Sequence, residues 1–166
     1  MRSDLFLKPT QIDLSVCIAD KEGIRRMNPQ RFAMEHLDAI VSIDSVQHLI
    51  VGYKDVRDDE FWVLGHMPGM PILPGVIMCE AAAQLTSYYT AQAGVITGKI
   101  LGLGGIDNAR FRQAVRPGDR LVLVGKGVRV NRRQTIFGVQ GFVNGSMAFN
   151  CDIIGLPIAD KVGVPS

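Results

Sequence analysis

From Phe61 to Gly98 the chain carries one formal charge, Glu80, if His66 is neutral. Within that stretch, Gly75 to about Ala93 is the longest helical candidate: Ala81-Ala82-Ala83 favours helix, and Gly94 is placed to end it. At 1.5 Å per residue such a helix is roughly 28 Å long. A helix this apolar on every side belongs in a core rather than on a surface. Whatever else the chain forms must therefore wrap around it.

Strands follow it in sequence. Gly98–Phe111, Arg120–Asn131 and Thr135–Ile154 are strand candidates. Turns at Arg116-Pro117-Gly118-Asp119 and Asn131-Arg132-Arg133 separate them, and Asn144-Gly145 suits a tight hairpin inside the last. Upstream, Val41 to about Val56 reads as a hairpin, with Gly52 as a break, and Phe61-Trp62-Val63-Leu64 reads as a short strand ending at Gly65. Asn28-Pro29 reads as an N-cap followed by proline at the first helical position, which predicts a helix from Pro29 to about Asp38. Residues 1–27 read as a polar lead-in with turns, and 159–166 as a loose tail. One buried helix among antiparallel strands gives an α+β class, in a single domain over residues 1–166.

Bulk properties exclude several classes. A net charge of +2 and 7% aromatic residues give no footprint for nucleic acid. Cys17, Cys79 and Cys151 are scattered, with no spacing for zinc or for a disulfide framework, so free thiols in a cytoplasmic protein are expected. No signal peptide follows Met1, and the prolines and glycines of residues 61–79 rule out a plain membrane helix.

The chemistry concentrates in Gly65-His66-Met67-Pro68-Gly69-Met70-Pro71-Ile72-Leu73-Pro74-Gly75-Val76 and Glu80. An imidazole in a proline-stiffened loop, a helix start and a carboxylate in its second turn can together serve proton transfer. Glu80 is conspicuous on an otherwise uncharged helix, because buried carboxylates are rare unless paired or functional. Gln84 lies one turn further on nearly the same face and can orient it; Tyr88 continues the stripe. His36 and His48 are expected to have no catalytic role, and Cys79 to be a small core residue.

The run Gly65 to Gln84 closely resembles the signature of the β-hydroxyacyl-acyl carrier protein dehydratases of fatty-acid synthesis. Gly105 to Arg112 and Val115 to Leu121 resemble that family's later strands and turn. The resemblance covers roughly residues 29 to 155. It implies the hotdog fold, an antiparallel sheet wrapped around one long helix. It also implies homodimers or trimers of dimers with shared sites, the histidine from one subunit and the acid from the other. By position these are His66 and Glu80, so the His66 and Glu80 of one chain would serve different sites. A glutamate at the acid position resembles the plain dehydratases rather than the isomerising ones. The chain departs from the family at Gln30, Phe32, Ala33, Met34 and Ala39, and at Met67 and Met70.

The implied reaction converts a 3-hydroxyacyl thioester on acyl carrier protein to the trans-2-enoyl thioester. His66 would be the base, Glu80 the acid, and the Gly75 N–H at the helix start the carbonyl contact. Val76 and Gln84 are further substrate-binding candidates, and Ile72, Leu73, Ile77 and Met78 would wall an acyl tunnel. No metal or organic cofactor is needed. Residues 107–133 hold eight basic residues against two acidic ones, a local charge of +6 that would steer an acidic carrier. Two alternatives are a hotdog acyl thioesterase and a non-catalytic acyl-binding hotdog protein.

Overall fold

The structure, a computed structural model, describes residues 4–160. Helix α1 spans Lys21–Met27 and helix α2 Gly75–Gln92. The strands are β1 (Ala39–Asp44), β2 (Leu49–Asp55), β3 (Lys99–Phe111), β4 (Arg120–Val130), β5 (Thr135–Val143) and β6 (Ser146–Asp160). They form one antiparallel sheet in the order β1-β2-β4-β5-β6-β3. The sheet curls around α2, which is the hotdog architecture.

The uncharged sequence of α2 is explained by its surroundings. Ala81, Ala82 and Leu85 are fully buried against Ile40, Ile50, Leu121, Leu123, Phe137 and Phe149 on the inner face of the sheet. Truncating a buried leucine such as Leu85 costs roughly 2–5 kcal/mol in packing. Gly52 does not break β2. A Cβ there would lie 2.7 Å from the Ala39 carbonyl oxygen and 2.9 Å from Leu85 Cδ1, so glycine lets helix and sheet approach. The Asn144-Gly145 turn has φ of 50° and 78°, which the tight hairpin between β5 and β6 requires.

The outer face is apolar too. Ala39, Val41, Val51, Val124 and Phe142 are buried there under Phe6, Leu7 and Ile12. Buried Gln140 clamps this N-terminal strap: it accepts from Phe6 N and donates to the Asp4 carbonyl, each at 3.0 Å. The lead-in is therefore a structural cover. The run Leu121-Val122-Leu123-Val124 carries the corresponding signal, because alternation is lost in a strand buried on both faces.

Three local expectations are corrected. The first helix is Lys21–Met27, capped by Asp20, whose side chain accepts from Gly23 N. Asn28 ends this helix with extended backbone, as a residue before proline prefers. Residues Phe32–Met34 make only one 3-10 turn. The 61–64 segment is a series of turns rather than a strand. The half-buried Glu60 gathers it by accepting from Arg57 N and Trp62 Nε1, each at 3.0 Å, and pairing with buried Lys54 at 2.9 Å. Of the expected tail, Ala159 and Asp160 end β6, and residues 161–166 lie outside the described part.

The ends of the sheet differ. β1 is short and bridged by Ala19. β3 is 13 residues long, pairs only with β6 among the described residues, and has no fully buried residue. No described helix is long and apolar enough to cross a membrane.

Candidate active site

His66 sits in a loop that closes on itself. The Ile72 amide donates to the His66 carbonyl (2.8 Å), and His66 Nδ1 lies 2.7 Å from the Ile72 carbonyl oxygen. A carbonyl can only accept, so Nδ1 carries the proton and Nε2 of the neutral ring keeps its lone pair. The Leu73 amide donates to the Val115 carbonyl (2.8 Å), which ties the loop exit to the segment between β3 and β4.

The loop leads directly into α2. Pro74 is the N-cap, and the amides of Ile77 and Met78 both donate to its carbonyl. The Gly75 and Val76 amides have no acceptor among the described residues, as the first turn of a helix leaves them. The positive end of the helix dipole adds to their pull on an anion. A cleft of about 610 Å³ joins His66, Ile72, Gly75 and Val76 to Phe111, Arg112 and Gln113. Gly75 is tightly covered: a Cβ there would lie 2.8 Å from Phe111 Cζ. Phe111 in turn stacks on buried Phe149.

Glu80 does not line this cleft. It is half-buried on α2, and its Oε1 accepts from Gln84 Nε2 at 2.7 Å. Gln84 is buried and fully engaged. Its Nε2 also donates to the Met34 carbonyl (2.7 Å), and its Oε1 accepts from His36 N (2.9 Å). The amide orientation of Gln84 follows from these partners, and it holds the Glu80 carboxylate.

The expected residues thus fall into two groups. His66, Ile72, Leu73, Gly75, Val76 and Met78 share the cleft, although Leu73 and Met78 are mostly core. Glu80 and Gln84 form the other group, beside the 3-10 turn. Tyr88 is buried in the core rather than part of an open stripe, and Ile77 is half-buried. Cys79 is in the core. His48 Nδ1 bonds the Tyr89 hydroxyl at 2.7 Å. His36 is buried, with no hydrogen bond to either ring nitrogen among the described residues. Burial and the nearby Lys54 charge push its pKa down to about 4.

Phe111 and Gln113 were not anticipated as cleft residues. Sequence spacing carries no sign that the end of β3 lies over the start of α2. The basic segment does not form one surface. Arg110 and Arg112 flank Phe111, which pairs with Phe149, level with Gly141 and Leu123. Arg129, Arg132 and Arg133 lie near or past the end of β4, about 20 Å or more from Leu123 at 3.3 Å per residue. Arg120 is held bidentately by Asp55 and stacks over Tyr53. Arg112 lines the cleft, Arg110 precedes Phe111 in β3, and Arg116 follows Val115, whose carbonyl holds the loop exit.

Among the described residues no cluster of three or more His, Cys, Asp or Glu side chains is placed to hold a metal ion.

Residues 28–152 match the model of the FabA-like domain family. The chain is 34% identical over 138 residues to "3-hydroxyacyl-[acyl-carrier-protein] dehydratase FabZ" of Desulfotalea psychrophila, covering 81% of this chain and 91% of that protein. It is 37% identical over 141 residues to the protein of the same name from Rhizobium rhizogenes, covering 84% and 88%. Among solved structures, the dehydratase heterocomplex ApeI:P from Xenorhabdus doucetiae superposes with a TM-score of 0.69 at 14% identity, covering 81% of this chain and 90% of that one. That likeness speaks for the fold.

Proposed function

The chain belongs to the FabA-like domain family, and on that premise we propose that it dehydrates 3-hydroxyacyl thioesters on acyl carrier protein to trans-2-enoyl thioesters in fatty-acid synthesis. The observation that carries the mechanism is the His66 Nδ1–Ile72 bond, which makes Nε2 the free base in the same cleft as two unpaired helix-start amides. Nε2 removes a C2 proton. The Gly75 and Val76 amides receive the thioester oxygen as charge grows on it, the oxyanion-type stabilisation that helix starts offer. Glu80, oriented by Gln84, delivers a proton to the departing hydroxyl, directly or through water.

The site is completed by a second copy of the chain. Two observations support this. Glu80 is absent from the wall of the His66 cleft, and β3 is a long, well-exposed edge, a ready template for pairing with another strand. Paired through β3, each His66 would face the partner's α2. The carrier approaches at the cleft end, where Arg110, Arg112 and Arg116 lie, and a single domain acts on it in the cytoplasm without a cofactor.

The test is turnover of 3-hydroxyacyl carrier thioesters of increasing length, followed by the absorbance of the enoyl product. The proposal expects enoyl formation without release of free thiol, lost on His66→Ala. Thiol release without enoyl formation would instead mark a thioesterase.

A further inference from the structure

Gln84 is held by the segment from Asn28 to His36. Besides the Met34 and His36 bonds to its side chain, its backbone carbonyl accepts from Asn28 Nδ2 at 2.9 Å. The segment is closed at its base by a bidentate ion pair. Arg25 Nε lies 2.8 Å from Glu35 Oε1, and Arg25 Nη2 2.9 Å from Glu35 Oε2. Arg31 ties the same loop inward, donating to the carbonyls of Asn28, Gln30 and Arg25. Arg25, Asn28, Gln30, Glu35 and Gln84 all wall one cavity of about 10 Å³. That is room for about one water, so a shift of Glu35 has little slack before it reaches Gln84. Arg25 is on α1, before the family-matched residues 28–152. It braces the segment where the chain departs from the family pattern.

We propose that Arg25 is a positioning residue for the dehydration: its pair with Glu35 latches the 28–36 loop, which fixes Gln84 and through it the Glu80 carboxylate. This rests on the reading of Glu80 as the acid. The latch acts on the acid's alignment rather than on substrate capture, so its loss lowers kcat and leaves KM in place. A partly exposed pair has a modest effect, about three- to fivefold.

The experiment measures kcat and KM for Arg25→Ala, Glu35→Gln and the Arg25→Ala/Glu35→Gln double variant in the whole 166-residue chain, with Glu80→Gln alongside. The expected result is a kcat about three- to fivefold down in both single variants, with KM within twofold of the parent. The double variant loses no more than either single variant, because both changes remove the same pair. Glu35→Gln keeps the side-chain shape, so it gives the same readout if Arg25→Ala fails to fold. An unchanged kcat in a folded single variant, or losses that multiply in the double variant, overturns the latch while Glu80→Gln remains inactive. Full turnover by Glu80→Gln overturns the role of Glu80 and the latch with it.

Discussion

The two halves of the site are built in opposite ways. His66 is fixed by backbone: a short loop closes through two bonds to Ile72 and opens onto a broad cleft. Glu80 is fixed by side chains: one amide, Gln84, holds it, and a separate loop holds that amide. A base must present a lone pair to an incoming carbon, so a local, stiff mount suffices. On the proposed reading the acid must wait at a set place relative to another chain's cleft, and Glu80 is mounted through contacts distant in sequence. The base half should therefore tolerate changes elsewhere in the protein, whereas the acid half should feel them.

The largest expected effect is on the base half. His66→Ala should lower kcat by about 10²–10⁴-fold, the usual worth of a general base, with little change in thermal midpoint. A near-normal rate would remove His66 from the mechanism and break the comparison at once.

Acid stability should sense the other half. The His36 pKa is pushed down to about 4 by burial first and by Lys54 second. In the unfolded chain an ordinary histidine titrates near 6.5. As pH falls from about 6.5 to about 4, the unfolded state takes up the proton first, and stability is lost across that window. Below about 4 this loss levels off. The full effect is on the order of 3 kcal/mol. Glu60 and Glu35 are held below the usual carboxylate range, Glu35 chiefly by Arg25 and Glu60 by its bonds to Lys54, Arg57 and Trp62 against its burial. Their losses come at lower pH. Urea midpoints of His36→Leu against pH should be flatter between 4 and 6.5 than those of the parent; parallel curves would refute the assignment.

Gln84→Leu should cost about 2 kcal/mol, because it strands the His36 amide and the Met34 carbonyl, and should also lower kcat. Denaturant unfolding and steady-state rates check both; a stable, fully active variant would show that Glu80 needs no holder. Gly75→Ala is the mildest, at roughly 1 kcal/mol. The atoms nearest the new methyl all belong to the half-exposed Phe111 ring, which can swing away. A thermal midpoint shift of a few degrees is expected, and an insoluble protein would mean that Phe111 cannot move.

The sequence made the base half legible and much of the acid half illegible, for a physical reason. The loop, the helix start, α2 and the hairpins depend on residues near one another in the chain. Proline stiffening, an uncharged helix and Asn144-Gly145 can all be read locally. The clamp on Gln84 depends on residues 28–36 meeting position 84, and no local pattern encodes that meeting. The misplaced helix at Pro29 follows from the same limit: Asn28 is extended as an N-cap would be, but its side chain turns to the Gln84 carbonyl and its Oδ1 caps no helix start. Phe61–Leu64 looked like a strand by composition, but a buried Lys54–Glu60 pair folds it into turns. The strap over the outer face was likewise hidden, except in the loss of alternation along β4.

The central claim is that His66 and Glu80 of one chain serve different sites. Mixing His66→Ala chains with Glu80→Gln chains, after dissociation and reassembly, tests it most directly. Each variant alone should be inactive. In a two-fold dimer, half of the reassembled pairs would carry one intact site, so about one quarter of the parent activity should return. If the mixture stays as inactive as its components while mixed pairs form, both groups act within one chain and the account is wrong.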